Sequence, residues 1–86
     1  MKQYERLLKA LANRRRLEIV KYLKKEKEAT VGNIASHLKL SFKSTSKHLA
    51  ILFAVDIVEK EQRGLSAFYS LHPFPARIIR AVISIV

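Results

Sequence analysis

Apolar positions recur at intervals of three and four from the start of the chain. Tyr4, Leu7, Leu8 and Leu11 fall on one side of a helix predicted over residues 2–12. Asn13 can close that helix and cap the next, about Arg14 to Lys25, where Leu17, Ile19, Val20 and Leu23 are apolar and Arg15, Lys21, Lys24 and Lys25 are left for solvent. Thr30 suits the cap of a third helix, Val31 to Leu38, with Ile34, Ala35 and Leu38 as its stripe. After the tight connection Lys39-Leu40, Ser41 caps a fourth, running to about Ala54, in which Thr45, Leu49, Leu52 and Phe53 are expected to face inward. Two short helices over about residues 30–54, joined this tightly, form a helix-turn-helix.

The pattern then changes. Ile57 to Gln62 and Leu65 to Leu71 are β-prone runs around the turn-compatible pair Arg63-Gly64, which predicts a hairpin wing over about residues 57–71. Pro75 suits the first turn of a last helix reaching Val86. The expected fold is α+β and mainly α: a winged helix-turn-helix with about five helices and a two-stranded β-hairpin wing, forming one domain over residues 1–86.

Charge sharpens this picture. The 86 residues carry 17 Lys and Arg against 7 Asp and Glu, a net of +10, which calls for a polyanionic partner. No acidic residue occurs between Glu28 and Asp56, the stretch holding the expected helix-turn-helix. The alternatives of a solvated basic face or a membrane-surface helix are answered by position, because the basic residues sit at the front of the fourth helix. Lys43, Ser44, Ser46, Lys47 and Ala50 lie opposite Thr45, Leu49 and Leu52, and a major groove about 12 Å wide admits one helix presenting such a face. Cysteine is absent, which excludes disulfides and thiolate sites and fits an intracellular, cytoplasmic address. The longest apolar run, Leu49 to Val55, is far too short to span a membrane, so a soluble protein without a membrane partner is expected.

"LANRRRLEIVKYL", "TVGNIASHLKLSFKSTSKHLAIL" and "FYSL" after "RG" together resemble the ArsR/SmtB type of winged helix-turn-helix repressor, in order over about residues 7–72. The family's recognition-helix pattern, Leu-Ser-x-x-x-x-Ser-Arg-His-Leu, is matched by Leu40, Ser41, Ser46, Lys47, His48 and Leu49, with lysine in place of arginine. The resemblance implies a homodimer that binds an operator and blocks transcription until an inducer weakens binding; nothing in the residues names that inducer. In the same pattern Arg16 matches the arginine of Pro-Thr-Arg, which implies a structural role for it. Two departures stand out. The Cys-x-Cys metal or arsenical site is missing, since Ala29 to Gly32 offers no ligand, and residues 75–86 contain no Asp, Glu, His or Cys for the second family site. No cofactor and no metal site are therefore expected. The family's glycine before the wing is also absent, "AVDIV" standing where "AGLV" is usual.

The candidate DNA contacts are Ser41, Phe42, Lys43, Ser44, Ser46, Lys47 and His48 on the fourth helix and Arg63 on the wing. His48 borders the apolar face, where packing or capping competes with DNA contact. His37 and His72 lie on separate elements without acidic or thiol partners, which argues against a histidine metal site. Phe68 and Tyr69 are expected in the core rather than stacked on bases. Arg14 to Arg16 oppose the dipole of their own helix, so a phosphate or a nearby acid such as Glu18 must compensate. Candidate dimer residues are Tyr4, Leu7, Leu8 and Leu11 with Ile78, Ile79, Val82, Ile83 and Val86, more apolar surface than a protomer this small can hide.

These features predict a sequence-specific double-stranded DNA-binding transcriptional regulator, a homodimeric repressor on an inverted-repeat operator, with the helix over residues 41–53 in the major groove. The rival is a winged-helix protein–protein interaction module or antitoxin-like accessory subunit, for which an acid-free window is unnecessary unless the partner is acidic. An enzyme is not expected, because no spaced nucleophile or acid–base set is present.

Overall fold

Side-chain caps set three of the five helix starts. The computed structural model, which describes residues 1–86, runs α1 (Lys2–Leu11), α2 (Arg14–Glu26), β1 (Glu28–Thr30), α3 (Val31–Leu38), α4 (Phe42–Ala54), β2 (Val58–Arg63), β3 (Ser66–Leu71) and α5 (Arg77–Ile85). The Asn13 side chain accepts from Arg16 N at 3.1 Å, Thr30 from Asn33 N at 3.1 Å and Ser41 from Ser44 N at 3.0 Å. Each cap satisfies an otherwise orphaned N–H and contributes about 1 kcal/mol.

Two residues, Ala12 and Asn13, separate α1 from α2, and a similarly short turn joins α3 to α4. Lys39 closes α3 in the left-handed region at φ 58°, and Leu40 N reaches back to Ala35 O at 3.0 Å. A glycine would adopt that backbone at less cost. Asp56 does the same at φ 56° between α4 and β2, so the corner that lacks the family's glycine is turned by an aspartate.

The sheet has three antiparallel strands in the order β1-β3-β2. The expected hairpin is present, with Val58 opposite Leu71 and Arg63 opposite Ser66. The sequence did not point to β1, in which Glu28, Ala29 and Thr30 face Ser70, Tyr69 and Phe68. Three residues are too few to display a strand period.

The core gathers Leu7, Leu11, Ile19, Val20, Leu23, Ile34, Leu38, Leu49, Leu52, Ile57, Val58 and Ile79 from every helix and from the wing's base. Three expectations need correction. Phe53 does not face inward with Thr45, Leu49 and Leu52; it is 44% exposed beside the wing, where Lys60 Nζ stands 5.3 Å from its ring centroid. Phe68 and Tyr69 are not both core, because neighbours on a strand take opposite faces: Tyr69 packs on the core, while the Phe68 ring lies 4.7 Å beneath the Arg63 guanidinium. Pro75 precedes α5 rather than opening it. Ala76 is extended, and its carbonyl is the first to accept, from Ile79 N at 2.9 Å and Arg80 N at 3.0 Å.

The opposite end of α5 is held by α2. Lys24 Nζ donates to Ile83 O at 2.8 Å and Ser84 O at 3.4 Å, placing a cation on the negative end of the helix dipole.

Candidate nucleic-acid interface

Helix α4 is anchored through Thr45, Leu49 and Leu52, all fully buried. Thr45 avoids an unsatisfied hydroxyl by donating from Oγ1 to Ser41 O at 2.9 Å. On the opposite side Lys43, Lys47, Ala50 and Ala54 follow at i, i+4, i+7 and i+11, all exposed. Neither lysine has a carboxylate within ion-pair distance, and α3 and α4 contain no acidic residue. Alanine beyond the lysines leaves the helix slender enough for close backbone approach.

Ser44 and Ser46 are half-buried beside this stripe, and Phe42 projects from the first turn, 64% exposed. Ser41 is committed to capping: its Oγ receives Ser44 N and its carbonyl receives Thr45 N and Oγ1. No acid occupies the first turn of α2, α3 or α4, which leaves their positive dipole ends uncompensated from within the helix.

His48 stands on the flank of α4, half-buried, with Nδ1 at 3.3 Å from Arg16 Nη1. Burial, then the charges of Arg16 and Arg15, hold the imidazole below its ordinary pKa. Arg16 also donates from Nε to Ala10 O and from Nη2 to Lys9 O at 3.2 Å, so it caps the carbonyl end of α1 while bracing α4. The problem of three arginines at one helix start thus divides. Arg14 and Arg15 pair with Glu18 at 3.7 and 3.4 Å, and Arg16 joins three elements.

On the wing, Arg63 is not a free cation. Its guanidinium is bound by Glu28 of β1 and Glu61 of β2, and these hydrogen bonds raise its pKa. To reach a phosphate or a groove it must leave two carboxylates. Glu61 lies two residues away, so part of this neutralisation follows from the acids of the wing itself, whereas Glu28 belongs to the strand that the sequence did not disclose. Leu65, in the β2–β3 turn, is fully exposed, and its sole sequence signal was an apolar residue after a turn glycine.

The other candidate residues are placed apart. His37 stacks on Tyr22 with ring centroids 4.3 Å apart, and His72 Nδ1 accepts from Phe74 N at 3.1 Å. No grouping of three or more His, Cys, Asp or Glu suited to a metal exists in the chain. Of the dimer candidates, Leu7, Leu11 and Ile79 are inside the protomer's own core, Ile78, Val82, Ile83 and Val86 are half-buried, and Tyr4 and Leu8 are about half exposed. Ile85, at the end of α5, is 82% exposed.

Five helices, a helix-turn-helix and a hairpin wing with a cationic α4 define a winged helix-turn-helix regulator fold. The profile of the family described as "Bacterial regulatory protein, arsR family" matches residues 13–60. The chain is 42% identical over 65 residues to the transcriptional activator HlyU of Vibrio cholerae, an alignment covering 76% of this chain and 59% of HlyU. The structure of reduced HlyU superposes with a TM-score of 0.83 at 34% identity, over 98% of this chain and 84% of that one. The arsenical resistance operon repressor of Bacillus subtilis is 31% identical over 72 residues, 84% of this chain and 69% of the repressor. The homodimeric winged helix-turn-helix DNA-binding domain of Mb0332 from Mycobacterium bovis, a possible ArsR-family regulator, gives a TM-score of 0.84 at 28% identity over 98% of this chain and 75% of that fragment. The chain belongs to the ArsR family of bacterial regulatory proteins, whose relatives named here are transcriptional regulators rather than enzymes. It spans less than two thirds of the curated HlyU sequence.

Proposed function

We propose that this protein is a homodimeric, sequence-specific double-stranded DNA-binding regulator that represses transcription from an inverted-repeat operator, acting in the cytoplasm and without catalysis. The observation that carries this proposal is the unpaired Lys43–Lys47 stripe on a helix whose far side is locked in the core. Lys43 and Ser44, in the first turn, reach base edges; Lys47 neutralises a phosphate; Ser46 and Phe42 flank the contact. Ser41 and His48 act by shaping the helix, the one as its cap and the other through Arg16. Arg63 contributes little, because its charge is already spent on Glu28 and Glu61.

The dimer forms through α1 and α5, where Tyr4, Leu8 and Ile85 are exposed and Ile78 and Val82 are half-covered. The homodimeric state named for the Mycobacterium bovis domain supports a homodimer, and the exposed apolar residues of α1 and α5 argue for its location. A twofold dimer presents two copies of α4 to successive major grooves, about 34–36 Å apart along the duplex. Repression follows from occupancy, since a dimer over a promoter excludes the polymerase. Against a protein-interaction module stands the acid-free surface of α3 and α4, which has no use toward a neutral partner. Selection from a random duplex pool tests the proposal: it should return an imperfect inverted repeat with half-site centres about 10 base pairs apart. Recovery of no enriched sequence at low salt would overturn it.

A further inference from the structure

We propose that the cleft between α2, α3 and the end of α5 is an effector site for a small planar aromatic anion, and that filling it loosens α5. The site stands on its own side chains, while its consequence for DNA rests on the dimer and operator reading above. The cleft has a volume of about 730 Å³, within the range of small-molecule sites. Its cations are Lys21, Lys24 and Lys25, spaced i, i+3 and i+4 on α2 and so gathered on one face. None of the three has a carboxylate within ion-pair distance. Of the two acids at the rim, Glu18 is already held by Arg14 and Arg15, which leaves Glu26 alone against three ammonium groups. The C-terminal ends of α2, α3 and α5 also meet at this cleft, and Lys24 answers the carbonyls of α5. Lys21 and Lys25 remain for an anion from outside.

The shape of the ligand follows from the aromatic wall. Tyr22 of α2 and His37 of α3 stack with their centroids 4.3 Å apart and their planes at 29°. His37 is exposed and Tyr22 half-buried, so the outer face of the imidazole is open to a third ring. A flat ring seated there carries its anionic group toward the lysines of the same cleft. An ammonium is a point charge that accepts carboxylate or phosphate alike.

Lys24 couples the cleft to the rest of the molecule. Its Nζ holds the carbonyls of Ile83 and Ser84, and a bound anion competes for that ammonium because a bond between two charged groups is stronger than one to a carbonyl. Losing the lysine deprives the last turn of α5 of its cation. That helix is the one assigned to dimer formation, and His37 belongs to the first helix of the helix-turn-helix, so ligand and operator are linked through both. By the same linkage, operator binding disfavours the ligand.

The test titrates 1-naphthoate and adenosine monophosphate, an aromatic carboxylate and an aromatic phosphate, into the full chain and follows the ring protons of Tyr22 and His37. At least one should give saturable shifts, which identifies the anion class, while cyclohexanecarboxylate and inorganic phosphate should give none. Lys21→Gln combined with Lys25→Gln should weaken the responding probe about tenfold, as should His37→Ala, and Glu26→Gln should strengthen it about threefold. The probe should lower operator affinity at least about fivefold, and Lys24→Met should show that loss without probe and respond no further. No saturable shift with either probe, an equal response to cyclohexanecarboxylate, or binding untouched in the lysine and His37 variants would overturn the site, however well the chain binds its operator. Saturable binding that alters neither operator affinity nor self-association would overturn the coupling. A chain that binds the probe but no duplex would contradict the DNA reading and leave the site standing, with self-association then reporting the coupling.

Discussion

Arg16 Nη1 donates to His48 Nδ1 at 3.3 Å, joining the start of α2 to the middle of α4 across 32 residues of sequence. A guanidinium has no acceptor, so Nδ1 must be unprotonated and the imidazole proton resides on Nε2. Through its two bonds to the carbonyls of Ala10 and Lys9, the same arginine fixes the end of α1. The element assigned to DNA and the one assigned to dimer formation are thus braced by a single side chain.

Arg16→Ala should therefore destabilise the fold by about 2 kcal/mol, the net worth of charged hydrogen bonds to groups left partly buried. Arg16→Lys should recover less than half, since an ammonium cannot span three acceptors in a fixed plane. Urea denaturation checks this as a lower midpoint at unchanged slope. A midpoint within experimental error of wild type for Arg16→Ala would mean the clamp bears no load.

Stability should also fall in mild acid through His48. Its folded pKa is below the unfolded value of 6.5, so between the two the unfolded chain binds a proton that the folded chain does not, and stability rises with pH across that window. Below the folded pKa both states are protonated and the dependence ends. Urea midpoints measured from pH 7.5 to 5 should drop for wild type, and the drop should shrink in His48→Gln. An equal drop in both proteins would place the titration elsewhere.

Leu8→Glu and Ile85→Glu should each yield a folded monomer, because both positions are exposed in the protomer and neither is needed by its core. Sedimentation at micromolar concentration should show a wild-type dimer and two monomeric variants with wild-type circular dichroism. A wild-type monomer, or variants that remain dimeric, would move the interface off α1 and α5.

Zinc, cadmium and arsenite should leave DNA binding unchanged, since the chain has no cysteine and no grouping of three metal-ligating side chains. Stoichiometric metal binding in calorimetry, coupled to release from DNA, would contradict this.

The helices were legible because their signals are local. Asn13, Thr30 and Ser41 sit where caps must be, and Leu49 and Leu52 recur at helical spacing. What escaped were relations between distant segments. Strand β1 is too short to have a period of its own and exists because Ala29 finds Tyr69. The acids Glu59 and Glu61 near Arg63 were visible in the sequence, but its pairing with Glu28 depends on that strand. Phe53 sits at a position compatible with the apolar stripe, and only the placement of β2 decides that its ring meets Lys60 instead of the core. In the site itself, the faces of Lys43 and Lys47 followed from spacing alone, whereas the role of His48 required Arg16, which spacing does not connect to it.

Reading of DNA by α4 through Lys43, Ser44 and Lys47 is tested most directly by the salt dependence of operator binding. With about four phosphates neutralised per subunit, log affinity should fall against log salt with a slope near −7. Lys47→Ala should lower affinity for all sequences and reduce that slope by about one to two per dimer, while Lys43→Ala and Ser44→Ala should change which bases are preferred. A folded Lys43→Ala, Ser44→Ala, Lys47→Ala triple variant should lose operator selectivity altogether. The same triple variant binding the selected operator with wild-type affinity, selectivity and slope would contradict the claim.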